Sequence, residues 1–200
     1  MHSDPIQHLI SVDPILAQII QAVEKPTWST SSNHFQELVE TIIGQQLSGK
    51  AADTITKRFV NLFTSNKFPT PQQILKMPDE KLRSAGISFQ KISYIKDLAK
   101  RVFGNEIDFD SFETMNDEEI IIELVKVKGI GRWTAEMFLM FALARPDIFS
   151  FGDLGLRNGL QKVYQLRKPP TEKQAKKITD KWKPFRSWGS RYLWKSLEID

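Results

Sequence analysis

The 200-residue sequence contains no cysteine. That excludes a disulfide framework, a thiol nucleophile, a zinc–thiolate centre and a cysteine-ligated iron–sulfur cluster. Histidine is scarce. His2, His8 and His34 all lie within the first 34 residues, which argues against a histidine-based metal or catalytic site. No apolar run approaches the ~18 residues that a membrane-spanning helix needs. The start Met1-His2-Ser3-Asp4-Pro5 lacks the basic residues and apolar core of a secretory signal. An intracellular protein is expected, in cytoplasm or nucleoid, or in the nucleus of a eukaryote. No low-complexity segment, Gly/Ser-rich linker or fixed-period repeat interrupts the chain.

What is present is basic at one end and acidic in the middle. The formal net charge is +4, but residues 157–195 hold 12 Lys/Arg against 2 Asp/Glu. Residues 104–123 hold 8 acidic groups and no basic one. The basic C-terminal region points to a polyanion, nucleic acid first, against the alternative of a solvated helix face.

Apolar residues recur with helical spacing, not strand spacing. Ile15, Leu16, Ile19, Ile20 and Val23 form one stripe; Phe35, Leu38, Val39, Ile42, Ile43 and Leu47 form a second. Helices are expected over 14–24, 34–47, 50–64, 90–103, 117–126, 132–144, 154–165 and 172–182, with a last one near 186–198. Asp13-Pro14, Thr70-Pro71, Pro78-Asp79 and Thr171 supply starts; Gly86, Gly104 and Gly129 supply changes of direction. The expected fold is all-α, a single domain with two helical subdomains flanking a cleft. One covers about 35–145 and contains a hairpin at 117–144. The other joins the N-terminal helices (about 1–34) to 146–200.

Two segments carry the chemistry. The first is Leu124-Val125-Lys126-Val127-Lys128-Gly129-Ile130-Gly131-Arg132-Trp133-Thr134-Ala135. Two glycines flanking one apolar residue make a tight turn between helices, with Ile130 placed to pin it to the core. The free N–H groups that open the next helix bind a phosphate without any side chain. A plain αα corner is the simpler alternative, but the Leu before and Thr-Ala after match a helix-hairpin-helix. Trp133, Met137 and Phe141 share a stripe on the second helix. Core packing accounts for the last two, whereas Trp133 stands beside the anion-binding end. The second segment is Phe151-Gly152-Asp153-Leu154-Gly155-Leu156-Arg157. Asp153 sits where a helix should start. A plain N-cap explains it, yet a capped carboxylate is also held in place and favoured in its charged form.

In this order the segments resemble the helix-hairpin-helix DNA glycosylases, within them the DNA-3-methyladenine glycosylase II type. Ile42-Ile43-Gly44-Gln45-Gln46-Leu47-Ser48, Leu82-Arg83-Ser84-Ala85-Gly86-Ile87-Ser88, Lys91-Ile92-Ser93-Tyr94-Ile95 and Trp182-Lys183-Pro184-Phe185-Arg186-Ser187 agree with it. The similarity runs from about residue 8 to 196. The N-terminal mixed α/β domain of some longer relatives has no counterpart in this sequence.

The resemblance implies that Asp153 is the catalytic group, stabilising an oxocarbenium-like sugar, orienting water, or both. It implies a base pocket with Trp133, Trp194, Met137 and Tyr192, whose electron-rich faces attract a cationic alkylated base. Tryptophan at 133 replaces the lysine that forms a Schiff base in strand-cutting relatives, so a monofunctional enzyme leaving an abasic site is expected. DNA contacts fall to Gly129, Ile130, Gly131, Arg132 and Lys128, and to Gln45, Gln46, Leu47 and Ser48, with either Gln46 or Leu47 as the wedge. The carbonyls of Val125, Val127 and Ile130 are expected to hold a structural Na⁺ or K⁺. The chemistry requires no cofactor, and no iron–sulfur cluster is expected. Duplex DNA with alkylated bases such as 3-methyladenine and 7-methylguanine is the expected partner, with no membrane and a monomeric protein. Lys128 departs from a common proline, Gly152 from a second acidic residue, and Met137 from an aromatic. The competing readings are a non-catalytic lesion-binding module and a helical interaction protein without nucleic acid.

Overall fold

The computed structural model describes residues 4–27, 30, 32–64 and 67–199; His2 lies outside them. Among the described residues the regular structure is entirely helical. In chain order the helices are α1 (Pro5–Val12), α2 (Pro14–Ala22), α3 (His34–Gly44), α4 (Gly49–Val60), α5 (Pro71–Lys76) and α6 (Asp79–Ser84). They continue with α7 (Phe89–Phe103), α8 (Asp117–Leu124), α9 (Arg132–Phe141), α10 (Leu154–Val163), α11 (Glu172–Thr179) and α12 (Arg186–Ser196). Single 3-10 turns occupy Asp110–Glu113 and Asp180–Trp182.

Local chemistry explains the boundaries. Thr70, Asn116 and Thr171 each form a capping box with Gln73, Glu119 and Gln174, satisfying two orphan backbone donors per helix. Asn33, Ser88 and Asp153 cap their helices by a single side-chain acceptor. Each such cap stabilises its helix by about 1 kcal/mol. The apolar stripes overrun the true ends. The 34–47 stripe stops at Gly44, since Gln45 leaves helical geometry and Gln46 has φ +60°. The 132–144 and 154–165 stretches stop at Phe141 and Val163, ahead of Ala144 and Gln165, both at φ +51°. Helix α1 is absent from the periodic stretches, although Asp4-Pro5 opens it as Asp13-Pro14 opens α2.

The chain divides into two compact units, Ser31–Phe138 and Met1–Thr30 with Leu139–Asp200; the division at 138/139 falls within α9. In the continuous unit α7 is the central element and packs against α3, α5 and α6. Its core is aliphatic with an aromatic margin: Leu38, Ile42, Phe59, Ile74, Leu82, Ile92, Ile95 and Leu98 are fully buried. The discontinuous unit packs α10 and α2 against α12, around Leu9, Leu16, Leu156, Leu160, Trp182, Tyr192 and Leu193. Gly159 admits the Leu193 backbone, since a Cβ there would lie 2.9 Å from the Leu193 carbonyl oxygen.

One buried carboxylate ties the two sequence segments of that unit together. Asp13 is 0% exposed. Its Oδ1 accepts from the Ile15 and Leu16 amides at 3.2 and 3.1 Å. Its Oδ2 accepts from Trp182 Nε1 at 2.7 Å and from the Tyr164 hydroxyl, with Lys181 Nζ 3.1 Å away. Burial alone pushes this carboxyl up. The Tyr164, Trp182, Leu16 and Lys181 donors together outweigh that push and hold it below the usual aspartate value. Asp13→Asn puts an NH₂ among donors, and a loss of about 3 kcal/mol is expected, lowering the melting temperature by about 6–12 °C. With the native pKa depressed, the wild-type contribution is complete above the unfolded value of about 3.9 and fades as pH falls through the native one. Thermal melts from pH 7 down to pH 2 should therefore show the gap between wild type and Asp13→Asn narrowing only at the acid end.

Candidate functional site

Asp153 stands one residue before α10, in extended geometry. Its Oδ1 accepts from the Leu156 amide at 2.7 Å and from Trp194 Nε1 at 3.1 Å. The first bond is the helix cap. The second reaches across to α12, so one carboxylate oxygen is held from two helices, and the residue is half-buried. Gly155 makes the approach feasible: a Cβ there would lie 2.9 Å from Trp194 Nε1 and 3.1 Å from Asp153 Oδ1. Trp194 is itself fixed by Phe141, whose ring stacks on it at 5.7 Å with 25° between planes. The Arg191 guanidinium lies 4.5 Å from the Phe141 centroid and donates to the Met140 and Thr27 carbonyls. The result is a layered arrangement of guanidinium, phenyl, indole and carboxylate.

This arrangement revises two aromatic assignments. Tyr192, expected in the base pocket, is 1% exposed and packs in the Leu9–Leu16–Trp182 core, where its ring has no surface to present. Phe141, expected in the core, is 44% exposed and belongs to the Trp194 stack. Both follow from helix phase. On α12 the buried face runs through Ser190, Tyr192, Leu193 and Ser196, which leaves Trp194 half-exposed. Trp133 is 49% exposed at the first turn of α9, and Met137 one turn on is half-buried. Arg191 and Gly155 were not anticipated from sequence. The Gly at helix position two was the available signal, since glycine weakens a helix and needs a reason to be there.

The hairpin sits in the continuous unit. Val127 and Ile130 are buried, at 1% and 4% exposure, and the Ile130 amide donates to the Val127 carbonyl at 3.1 Å. Gly129 has φ +79° and lies flat on Tyr94, whose ring carbon would be 2.1 Å from an added Cβ. Gly131 faces open space. The Lys128 amide donates to Asp97 Oδ2 at 2.9 Å. Arg132, expected on a phosphate, instead forms a bidentate pair with Glu118 at 2.7 Å and reaches Glu136 at 3.0 Å. Two carboxylates already neutralise it, so its charge stabilises the hairpin locally. Among the carbonyls expected around a cation, Val127's accepts the Ile130 amide at 3.1 Å.

The loop after α3 lies in the same unit. Gln46, Leu47 and Ser48 are exposed, Leu47 at 39%. Gln45 is turned inward, and its Nε2 donates to the Gly129 carbonyl at 2.9 Å. Of the four expected DNA contacts here, Gln45 is therefore a tether and the other three form the exposed tip.

Comparison with known proteins follows the same outline. The family model described as HhH-GPD superfamily base excision DNA repair protein matches residues 39–184. DNA-3-methyladenine glycosylase 1 of Schizosaccharomyces pombe is 35% identical over 196 residues, covering 96% of this chain and 86% of that protein. The solved structure of the S. pombe 3-methyladenine DNA glycosylase Mag1 in complex with abasic DNA superposes with TM-score 0.85 at 34% identity, covering 98% of this chain and 97% of that one. A DNA-3-methyladenine glycosidase from Bacillus halodurans superposes with TM-score 0.88 at 36% identity, covering 98% and 89%.

The Gly129–Tyr94 contact is directly testable. Gly129→Ala combines a left-handed φ with a clash, and a loss of about 2 kcal/mol or more is expected in thermal or urea unfolding. In a Tyr94→Ala background the same substitution should cost only the conformational part, about 1 kcal/mol. Equal losses in both backgrounds would show that the ring contact contributes nothing.

Proposed function

The chain belongs to the HhH-GPD superfamily of base excision DNA repair proteins, and we propose that it is a monofunctional DNA-3-methyladenine glycosylase acting on duplex DNA. The observation that carries this reading is the Asp153 carboxylate, fixed by the Leu156 amide and the Trp194 indole beside an exposed aromatic stack. Relatives at about this identity over nearly the full chain bear that name, and one was solved on abasic DNA.

The chemistry follows from the substrate. A base methylated at N3 or N7 carries positive charge. When the C1′–N bond breaks, its electron pair leaves with the base and neutralises it, so little general-acid help is needed. Positive charge passes instead to the sugar. A fixed carboxylate at Asp153 stabilises that charge and orients the water that adds to C1′. Preorganisation matters because a carboxylate that must swing into place loses much of the gain. The Trp194 bond and the helix cap supply it.

Recognition uses the aromatic faces. A cationic base over Trp194 or Trp133 gains roughly 0.5–2 kcal/mol over a neutral one. That difference, with the easier departure of a charged base, favours damaged purines over normal ones. Trp133 carries no amine, so no Schiff base forms and the product is an intact strand with an abasic site. The hairpin amides at Gly129 and Gly131 grip the phosphate backbone, and an Na⁺ or K⁺ on the Val125 and Ile130 carbonyls would add a positive charge there. The protein acts as a monomer inside the cell, in the compartment that holds the DNA.

The deciding experiment measures free base released from methylated duplex DNA. Wild type should release 3-methyladenine or 7-methylguanine, with strand breaks only after alkali. Asp153→Asn should bind the same DNA with unchanged salt dependence and release base at least 100-fold more slowly, as expected for loss of a preorganised charge worth roughly 3 kcal/mol. Tight binding with no release by wild type would instead identify a lesion-binding module.

A further inference from the structure

Three elements of the continuous unit are joined by side chains that the reaction itself does not use. Helix α7 runs alongside both the 45–48 loop and the hairpin, and residues at i, i+3 and i+6 of its sequence meet them in turn. Lys91 donates from Nζ to the Ile43 carbonyl at 2.8 Å and to the Gln45 carbonyl at 2.7 Å, closing the C-terminus of α3. Tyr94 lies under Gly129. Asp97 accepts the Lys128 amide at 2.9 Å and pairs with Arg101 at 3.1 Å. Gln45 completes the circuit, its Nε2 on the Gly129 carbonyl at 2.9 Å.

The circuit encloses the one non-glycine residue of the loop with a left-handed backbone, Gln46 at φ +60°. Such a conformation costs of the order of the caps described above, and persists only where the surroundings over-determine it. Here the residue before it is held at both backbone and side chain. The ammonium of Lys91 is half-buried, and burial pushes its pKa down. A lysine drawn out of water onto two carbonyls is an uncommon way to end a helix, where glycine usually suffices.

We propose that Lys91 and Gln45 are positioning residues that lock the exposed tip Gln46-Leu47-Ser48 in fixed register with the phosphate-binding hairpin, so that gripping the backbone places the tip for base extrusion. The proposal rests on the functional reading above, in which hairpin and tip both touch DNA. A loop on a soft hinge would yield when the base pushes back; a loop fixed to the hairpin transmits the binding energy of the phosphates into unstacking.

Lys91→Met keeps the unbranched stem and removes both bonds, to the Ile43 carbonyl of α3 and to the Gln45 carbonyl of the loop. Gln45→Ala removes only the loop-to-hairpin bond, at a half-exposed side chain. Gln45→Asn is one methylene too short to span it and should behave alike. The probe is a duplex with one 7-methylguanine flanked by 2-aminopurine, whose fluorescence rises when its neighbour is unstacked. Each variant is expected to bind undamaged duplex within twofold of wild type with the same salt slope. Each should lose about tenfold in kcat for base release, together with most of the fluorescence rise, at unchanged KM. Because both residues act on one loop, the double variant should lose little more than Lys91→Met alone. Variants that match wild type in fluorescence and kcat would overturn the proposal, as would losses that multiply in the double variant. If Lys91→Met does not fold, the two Gln45 variants decide it by the same readout. Wild type that neither binds the duplex nor releases base would overturn the functional reading and this proposal together. An active wild type with unaffected variants overturns this proposal alone.

Discussion

The discontinuous unit depends on one buried carboxylate. Asp13 has four kinds of donor around it: the amides that start α2, the Tyr164 hydroxyl at the end of α10, the Trp182 indole and the Lys181 ammonium. Burying an unpaired carboxylate costs several kcal/mol, so the site is favourable only when all partners arrive together. They come from positions 15–16 and 164–182, which makes the contact a condition on the whole unit. Local helix chemistry cannot satisfy it. Once Tyr164 is fixed, so is the C-terminal end of α10, and the N-terminal end of that same helix carries Asp153. The close approach of Gly159 to Leu193 then sets the register of α12 on α10. Trp194 follows Leu193 in sequence, and its indole arrives at the Asp153 carboxylate. The two aspartates, Asp13 and Asp153, are thus placed by one helix and its neighbour.

The continuous unit solves a different problem with backbone contacts. Its hairpin must expose amide groups, so it has few side chains with which to anchor itself. Ile130 and Val127 go into the core, and the flat ring of Tyr94 replaces the side chain that Gly129 lacks. Asp97 takes the Lys128 amide and stays below the usual aspartate value: burial opposes this, but that amide and Arg101 prevail. The turn is held from beneath by α7 while its upper surface stays open.

Much of this was legible in the sequence, and the illegible part has a common cause. Helix positions follow from periodicity and caps because both are local. The hairpin and Asp153 were legible for the same reason: each is a short run in which glycine or a capping residue has a definite conformational task. Burial of a given polar or aromatic side chain is not local. Asp4-Pro5 and Asp13-Pro14 are the same signal, and both aspartates cap helices; one is exposed and the other is 0% exposed. Tyr192 and Phe141 exchange their expected roles because a helix with aromatics on two faces does not say which face is inward. Arg132 looked available to a phosphate because its partner Glu118 lies on the other arm of the hairpin. The Lys91 and Gln45 bonds join residues 46 to 84 positions apart, and no motif of spacing announces them.

The same distinction governs the charge. The basic excess over 157–195 is large as a count, but several of its cations are paired within the fold. Arg186 grips Asp147, Lys176 pairs with Glu172, Lys183 with Asp180, Lys195 with Glu198, and Lys181 lies on Asp13. The acidic run is likewise met by Arg101, Lys126 and Arg132. Formal charge therefore overstates the field that a polyanion meets.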